Sequence, residues 1–73
     1  MRTLKYEITQ SIACLSTESN GWTKEINMVS WDGRPPKYDI RSWSEDHKKM
    51  GKGVTLTDTD LKKLKELLNQ LDL

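Results

Sequence analysis

The segment Lys37-Tyr38-Asp39-Ile40-Arg41-Ser42-Trp43 alternates with a period of two. Successive side chains of an extended strand point to opposite faces. Lys37, Asp39, Arg41 and Trp43 therefore share one face, and Tyr38 and Ile40 the other, which is the candidate core face. Trp31 ends the preceding apolar run and joins the first set if the connection is a simple hairpin. Indole rings interleaved with cations suit an unpaired polynucleotide: bases stack on the rings at ~1–3 kcal/mol each, and the cations follow the phosphates. The loop Asp46-His47-Lys48-Lys49-Met50-Gly51-Lys52-Gly53 adds three lysines, with glycines that let backbone N–H groups come close to a phosphate. Charge is mildly polarised toward this region. Residues 31–53 carry six Lys/Arg against four Asp/Glu, residues 1–30 balance three against three, and the segment from Thr57 has three against four.

Each feature also has a plainer reading. A strand tryptophan can be half-buried against a long neighbour, and Asp39 and Arg41 can pair with each other for ~0.2–1 kcal/mol. Loop lysines are commonly just solvated. His47 has no second ligand candidate nearby and reads as solvent-exposed and inert; Cys14, beside Ile12 and Ala13, reads as a small buried hydrophobe. No phosphate-loop motif, nucleophile–His–carboxylate set or group of metal ligands is present. The expectation is a protein without catalysis, cofactor or metal. Exposed Trp and Arg also serve protein hot spots, so a protein-interaction module using the same face is the alternative function.

The elements that must position these residues follow from composition and punctuation. Seventy-three residues, 34% hydrophobic and without Phe, make a single domain. A monomer that small buries only ~60–65% of its unfolded surface, and one cysteine offers no internal disulfide. Self-association is the expected remedy. Apolar and β-branched runs at about Lys5–Ser19, Trp22–Trp31, Lys37–Ser44 and Gly53–Leu56 read as four strands. Asn20-Gly21 suggests a two-residue type I′ turn, which would set Ser19 against Trp22, Leu15 against Ile26 and Ala13 against Met28. Asp32-Gly33-Arg34-Pro35-Pro36 must lie outside a central strand. From Thr57, a plausible N-cap, Leu61, Leu64, Leu67, Leu68 and Leu71 make one apolar helical stripe to about residue 71, suited to its own sheet or to a twin helix. No run approaches the ~20 apolar residues of a membrane span. The first seven residues have no apolar leader centre, so a cytoplasmic location is expected.

Asp39-Ile40-Arg41-Ser42-Trp43, a polar loop, Gly51-Lys52-Gly53-Val54-Thr55-Leu56 and a Leu-rich closing helix, in that order, resemble the transcriptional positive cofactor four family, closest to its short, YdbC-like bacterial members. The resemblance covers roughly Gly21 to Leu71. It implies an α+β fold, β-β-β-β-α, with a strongly curved antiparallel four-stranded sheet and one C-terminal helix, paired into a homodimer. It further implies non-catalytic binding of single-stranded or melted DNA with little sequence preference, serving transcription or DNA maintenance. RNA is left open as a ligand, and the transcription machinery stands as a partner in a nucleoid-associated setting. By position, Trp31 falls at the family's stacking aromatic, Arg41 at the arginine after Asp-Ile, Trp43 at an aromatic place and Lys52 at the cation of Gly-Lys-Gly. Arg34 and Lys37 match a basic turn and Lys24 a basic strand position. The expected interface is therefore Trp31 and Trp43 stacking bases, with Lys24, Arg34, Lys37, Arg41, Lys48, Lys49 and Lys52 on phosphates. Pro35-Pro36 lengthens the family turn, Ser44 replaces an additional aromatic, and the strand before Asn20 has no counterpart.

Overall fold

Four strands follow in chain order and pair in chain order: β1 (Tyr6–Thr17), β2 (Thr23–Trp31), β3 (Lys37–Trp43) and β4 (Met50–Leu56) form one antiparallel sheet, closed by α1 (Asp58–Leu68). The computed structural model describes residues 5–73. Met1–Leu4, part of the stretch read above for a leader, lie outside them. Among the described residues, no helix is long and apolar enough to cross a membrane.

The first hairpin departs from the expected register. Glu18 N–H donates to Trp22 C=O (2.7 Å) and Gly21 N–H to Glu18 C=O (3.0 Å), with Gly21 at φ +88 and Asn20 not left-handed. This is a three-residue loop ending in a left-handed glycine, not a type I′ turn. The left-handed pair sits instead at Asp32 (φ 51) and Gly33 (φ 74), where Arg34 N–H bonds Trp31 C=O at 3.0 Å. Beyond the loop, the 12 residues of β1 run against the 9 of β2 because Thr9, Ile12 and Leu15 are each an extra residue at a shift in register. Ala13 thus faces Ile26 rather than Met28, and Leu15 faces nothing directly. Each bulge adds bend and twist. A strand with three of them cannot stay flat.

Curvature then decides which face is interior. Tyr6 sits opposite Trp31 and Trp43 opposite Thr23, eight positions apart along β2. In a flat sheet this is a separation of roughly 25 Å. The Tyr6 and Trp43 rings are 5.2 Å apart. The sheet has coiled over its Asp39–Trp43 face, where Val29, Trp43, Asn27 and Asp39 are almost wholly buried. The Ile40 side, expected to be the core, is the outer face, and Ile26, Ile40 and Leu56 there are only half-buried. Cys14 is exposed rather than buried.

The helix starts as expected. The Thr57 hydroxyl accepts from Asp60 N–H (3.1 Å) and the Asp60 carboxylate from Thr57 N–H (3.2 Å), a reciprocal capping box. It ends at Leu68, short of Leu71. None of its residues is buried; Leu67, Leu68 and Leu71 stand exposed, and a groove of about 590 Å³ separates Leu61, Leu64 and Leu68 from Leu15, Ile26, Tyr38 and Ile40.

The β3–β4 pairing carries its own bulge, with Gly51 and Lys52 opposing Ser42 alone. At Gly53 a Cβ would stand 2.2 Å from Arg41 Cβ and 2.5 Å from the Ile40 carbonyl oxygen. The glycine is required by the approach of two backbones. Gly53→Ala is expected to lower stability by about 1–3 kcal/mol, read from the urea midpoint, whereas Gly51→Ala, with its nearest neighbour at 3.5 Å, should cost much less.

Candidate nucleic-acid interface

At the β2–β3 end of the sheet, Trp31, Arg34, Pro35, Lys37 and Thr55 line a cleft of about 240 Å³. Trp31 is half-buried, while Arg34 and Lys37 are exposed. The Asp32-Gly33 turn and Pro35-Pro36 swing Arg34 and Lys37 to one side of the indole. One aromatic wall and two cations with no ion-pair partner among the described residues are thus brought together.

Behind this ring lies an internal network. Arg41 grips Asp39 with two parallel bonds, Nε to Oδ1 at 2.7 Å and Nη2 to Oδ2 at 2.8 Å, and the Thr55 hydroxyl donates to the same Oδ2 at 3.1 Å. Arg41 Nη1 reaches Gly51 C=O and Met50 Sδ, both at 3.4 Å. The guanidinium carbon lies 4.8 Å from the centre of the Trp31 ring, a cation–π contact. Asp39 is fully buried and the Arg41 side chain is 14% exposed. Arg41 was expected to engage phosphate; its donors are instead committed inside the chain, because a buried carboxylate demands a partner. It backs the Trp31 ring and orients it.

Trp43 requires the larger correction. It was expected to stack bases, yet it is 0% exposed, with Tyr6 on one side (5.2 Å) and His47 on another (5.8 Å). It is the floor of the coiled sheet. His47, expected to be inert, is held at φ 60 with Nε2 at 2.9 and 3.1 Å from the two Glu25 oxygens, while Tyr6 Oη donates to its carbonyl oxygen. Glu25 also accepts from the Thr23 hydroxyl and Asn27 Nδ2. Burial pushes the Glu25 carboxyl up, but the bonds from Thr23, Asn27 and His47 outweigh it and leave it below its ordinary 4.5. The alternating polar residues Thr23, Glu25 and Asn27 on the Trp31 side of β2 were a legible signal of this network, and it was missed.

The remaining expected cations disperse. Lys24, paired with Ser42, is on the outer face, away from Trp31. Lys52 is exposed in the β4 bulge, and Lys48 and Lys49 are exposed on the 44–49 loop. Lys49 lines a different groove with Trp22, a residue the sequence reading did not single out. Among the described residues, no group of three or more His, Cys, Asp or Glu could hold a metal ion.

This arrangement coincides with a known pattern. The family model described as Transcriptional Coactivator p15 (PC4) matches residues 19–67, from the first loop through most of the helix. The chain belongs to that family. Its members are non-catalytic DNA-binding proteins with a transcription-related role. The matched span takes in the Trp31 cleft and the Asp39–Arg41 pair, and leaves out the whole of the bulged β1. An uncharacterized protein of Treponema pallidum (strain Nichols) is 54% identical over 68 residues, covering 93% of this chain and 80% of that protein. The likeness to that relative therefore reaches into β1 as well.

Two outcomes are expected from these contacts. Trp43→Ala should cost about 3–5 kcal/mol in a urea melt, whereas Arg34→Ala, on an exposed turn, should leave the melt almost unchanged. Because the Glu25 pKa is depressed in the fold, its contribution is present above about 4.5 and lost as pH falls through the folded value. Glu25→Gln should flatten the acid limb of a stability–pH profile below pH 4.5; an unchanged limb would remove Glu25 from the network's energetics.

Proposed function

We propose that this family member binds unpaired DNA with little sequence preference, as a homodimer, through the Trp31 cleft. The observation that carries the reading is the cleft itself: a partly open indole face, pinned from behind by Arg41, with Arg34 and Lys37 beside it and bound to nothing acidic among the described residues. Every base offers a π-face, so such a platform accepts any unstacked base. A duplex hides those faces within its own stack. Arg34 and Lys37 take phosphates adjacent to the stacked base, and Lys48, Lys49 and Lys52 add weaker long-range attraction. The chemistry is binding alone. In the cell this reading serves transcription or DNA maintenance, with the transcription machinery as the partner to look for.

The dimer is supported by the outer groove. Leu15, Ile26, Ile40, Leu64 and Leu68 line it, and Leu67 and Leu71 continue the exposed stripe. With two fully buried hydrophobic residues among those described, one copy lacks the core that independent stability requires. A second copy covering the leucine stripe supplies it.

Fluorescence anisotropy with oligo-dT at several salt concentrations tests the function. Log affinity should fall with log salt by about 0.7 for each phosphate contacted, Trp31→Ala should cost ~1–3 kcal/mol, and Lys37→Ala should shallow the slope. Light scattering of the same samples should return two chains per particle. Affinity that ignores salt, or survives Trp31→Ala, would turn the reading toward a polypeptide docked on this face.

A further inference from the structure

A second aromatic groove lies at the far end of β2, lined by residues within the span of the family match but distinct from those of the cleft above. Trp22, half-buried, forms one wall; Ser44, Glu45, Asp46 and Lys49 form the other, with Asn20 at its end, enclosing about 590 Å³. Both walls are preorganised. Trp22 N–H donates to Asn20 Oδ1 (3.0 Å), its carbonyl accepts from Glu18 (2.7 Å), and its ring lies 3.8 Å from the Cβ position of Gly51. The opposing loop is closed by Ser44 N–H to Lys49 C=O (2.9 Å) and Lys49 N–H to Ser44 Oγ (2.9 Å). Within it, Asp46 Oδ1 accepts from Ser44 Oγ (2.8 Å) and Lys48 N–H (3.0 Å). Those bonds, the Lys48 backbone first, hold the Asp46 carboxyl below its usual range, so it is ionised. Glu45 is exposed and has no hydrogen-bond or ion-pair partner among the described residues.

The chemistry of this groove differs from that of the Trp31 cleft. Both offer a ring for stacking and a cation for phosphate, but here two carboxylate residues, Glu45 and Asp46, line the groove. A carboxylate accepts hydrogen bonds and cannot donate them. It favours the exocyclic amino group of cytosine and repels the carbonyl that thymine presents at the same place. We infer that the Trp22 groove is a second base-binding site on the same strand path, selective for bases carrying an exocyclic amino group, with Trp22 stacking, Glu45 accepting from the amino group and Lys49 on the phosphate. This rests on the proposal that the chain binds unpaired DNA, and adds a mild base preference to it.

The full-length protein is titrated with dC12 and dT12, by anisotropy and by the three indole N–H signals in a nitrogen-15 correlation spectrum. The expected result is dC12 binding about three- to tenfold tighter than dT12, with the Trp22 indole signal moving. Glu45→Ala, an exposed change that leaves the fold intact, should bring the dC12/dT12 ratio close to one; the ratio cancels the affinity gained by deleting a negative charge. Trp22→Phe, which keeps a ring on that wall, should retain the preference. Equal affinities in the unaltered chain, a ratio unmoved by Glu45→Ala, or a static Trp22 signal during binding would each overturn the inference while leaving the Trp31 cleft standing. Failure of both oligomers to bind would overturn the functional reading and this inference together.

Discussion

The coiling of the sheet over Trp43 is the constraint on which the rest of this protein depends. Tyr6 and Trp43 pair with opposite ends of β2, and their rings still meet at 5.2 Å. That meeting requires β1 to bend, and β1 bends by carrying three extra residues against its partner. The contact is completed from the β3–β4 loop, where His47 adopts a left-handed backbone and pairs with Glu25, while its carbonyl oxygen accepts a hydrogen bond from the Tyr6 hydroxyl. Two separate elements, β1 and the loop that carries Lys48 and Lys49, converge on one indole.

Coiling gives the two faces of one sheet opposite characters. The inner face is largely polar: Asn27 bonds Glu25 and Arg41 bonds Asp39 around the buried Trp43 and Val29. Buried ionic groups of this kind cost desolvation energy and are tolerated only when fully partnered. Asp39 meets that condition with two bonds from Arg41 and one from Thr55. The outer face is apolar and incompletely covered, since the helix leaves its leucines half-buried or exposed. Specific geometry for a ligand resides on the polar side, and the apolar surface available for association on the other.

Much of the architecture was legible without coordinates. The order of strands and helix, the Thr57–Asp60 cap and the shared face of Lys37, Asp39 and Arg41 all come from local preferences that tertiary contacts did not override. The pairing register of β1 was not legible. Alternation assumes one residue per step, and each bulge at Thr9, Ile12 and Leu15 breaks that count with no signal in residue type. The turn chemistry also misled: Asn20-Gly21 is compatible with two loop lengths, and the hydrogen bond from Glu18 to Trp22 selects the longer.

The same boundary runs through the candidate site. Periodicity by itself determined that Lys37, Asp39, Arg41 and Trp43 lie on one side of the sheet, because a pleat allows no other arrangement; Trp31 joined them only through the pairing of β2 with β3. Periodicity could not say how deep each would sit. Depth comes from the closure of a curved surface, a property of residues far apart in the chain. Closure placed Trp43 at the bottom beneath Tyr6, left Trp31 at the rim with Arg34 and Lys37, and turned Arg41 from a free cation into the brace between Asp39 and the Trp31 ring. Residue identity set which chemistry was available, and only the tertiary fold decided which of those groups still meets solvent.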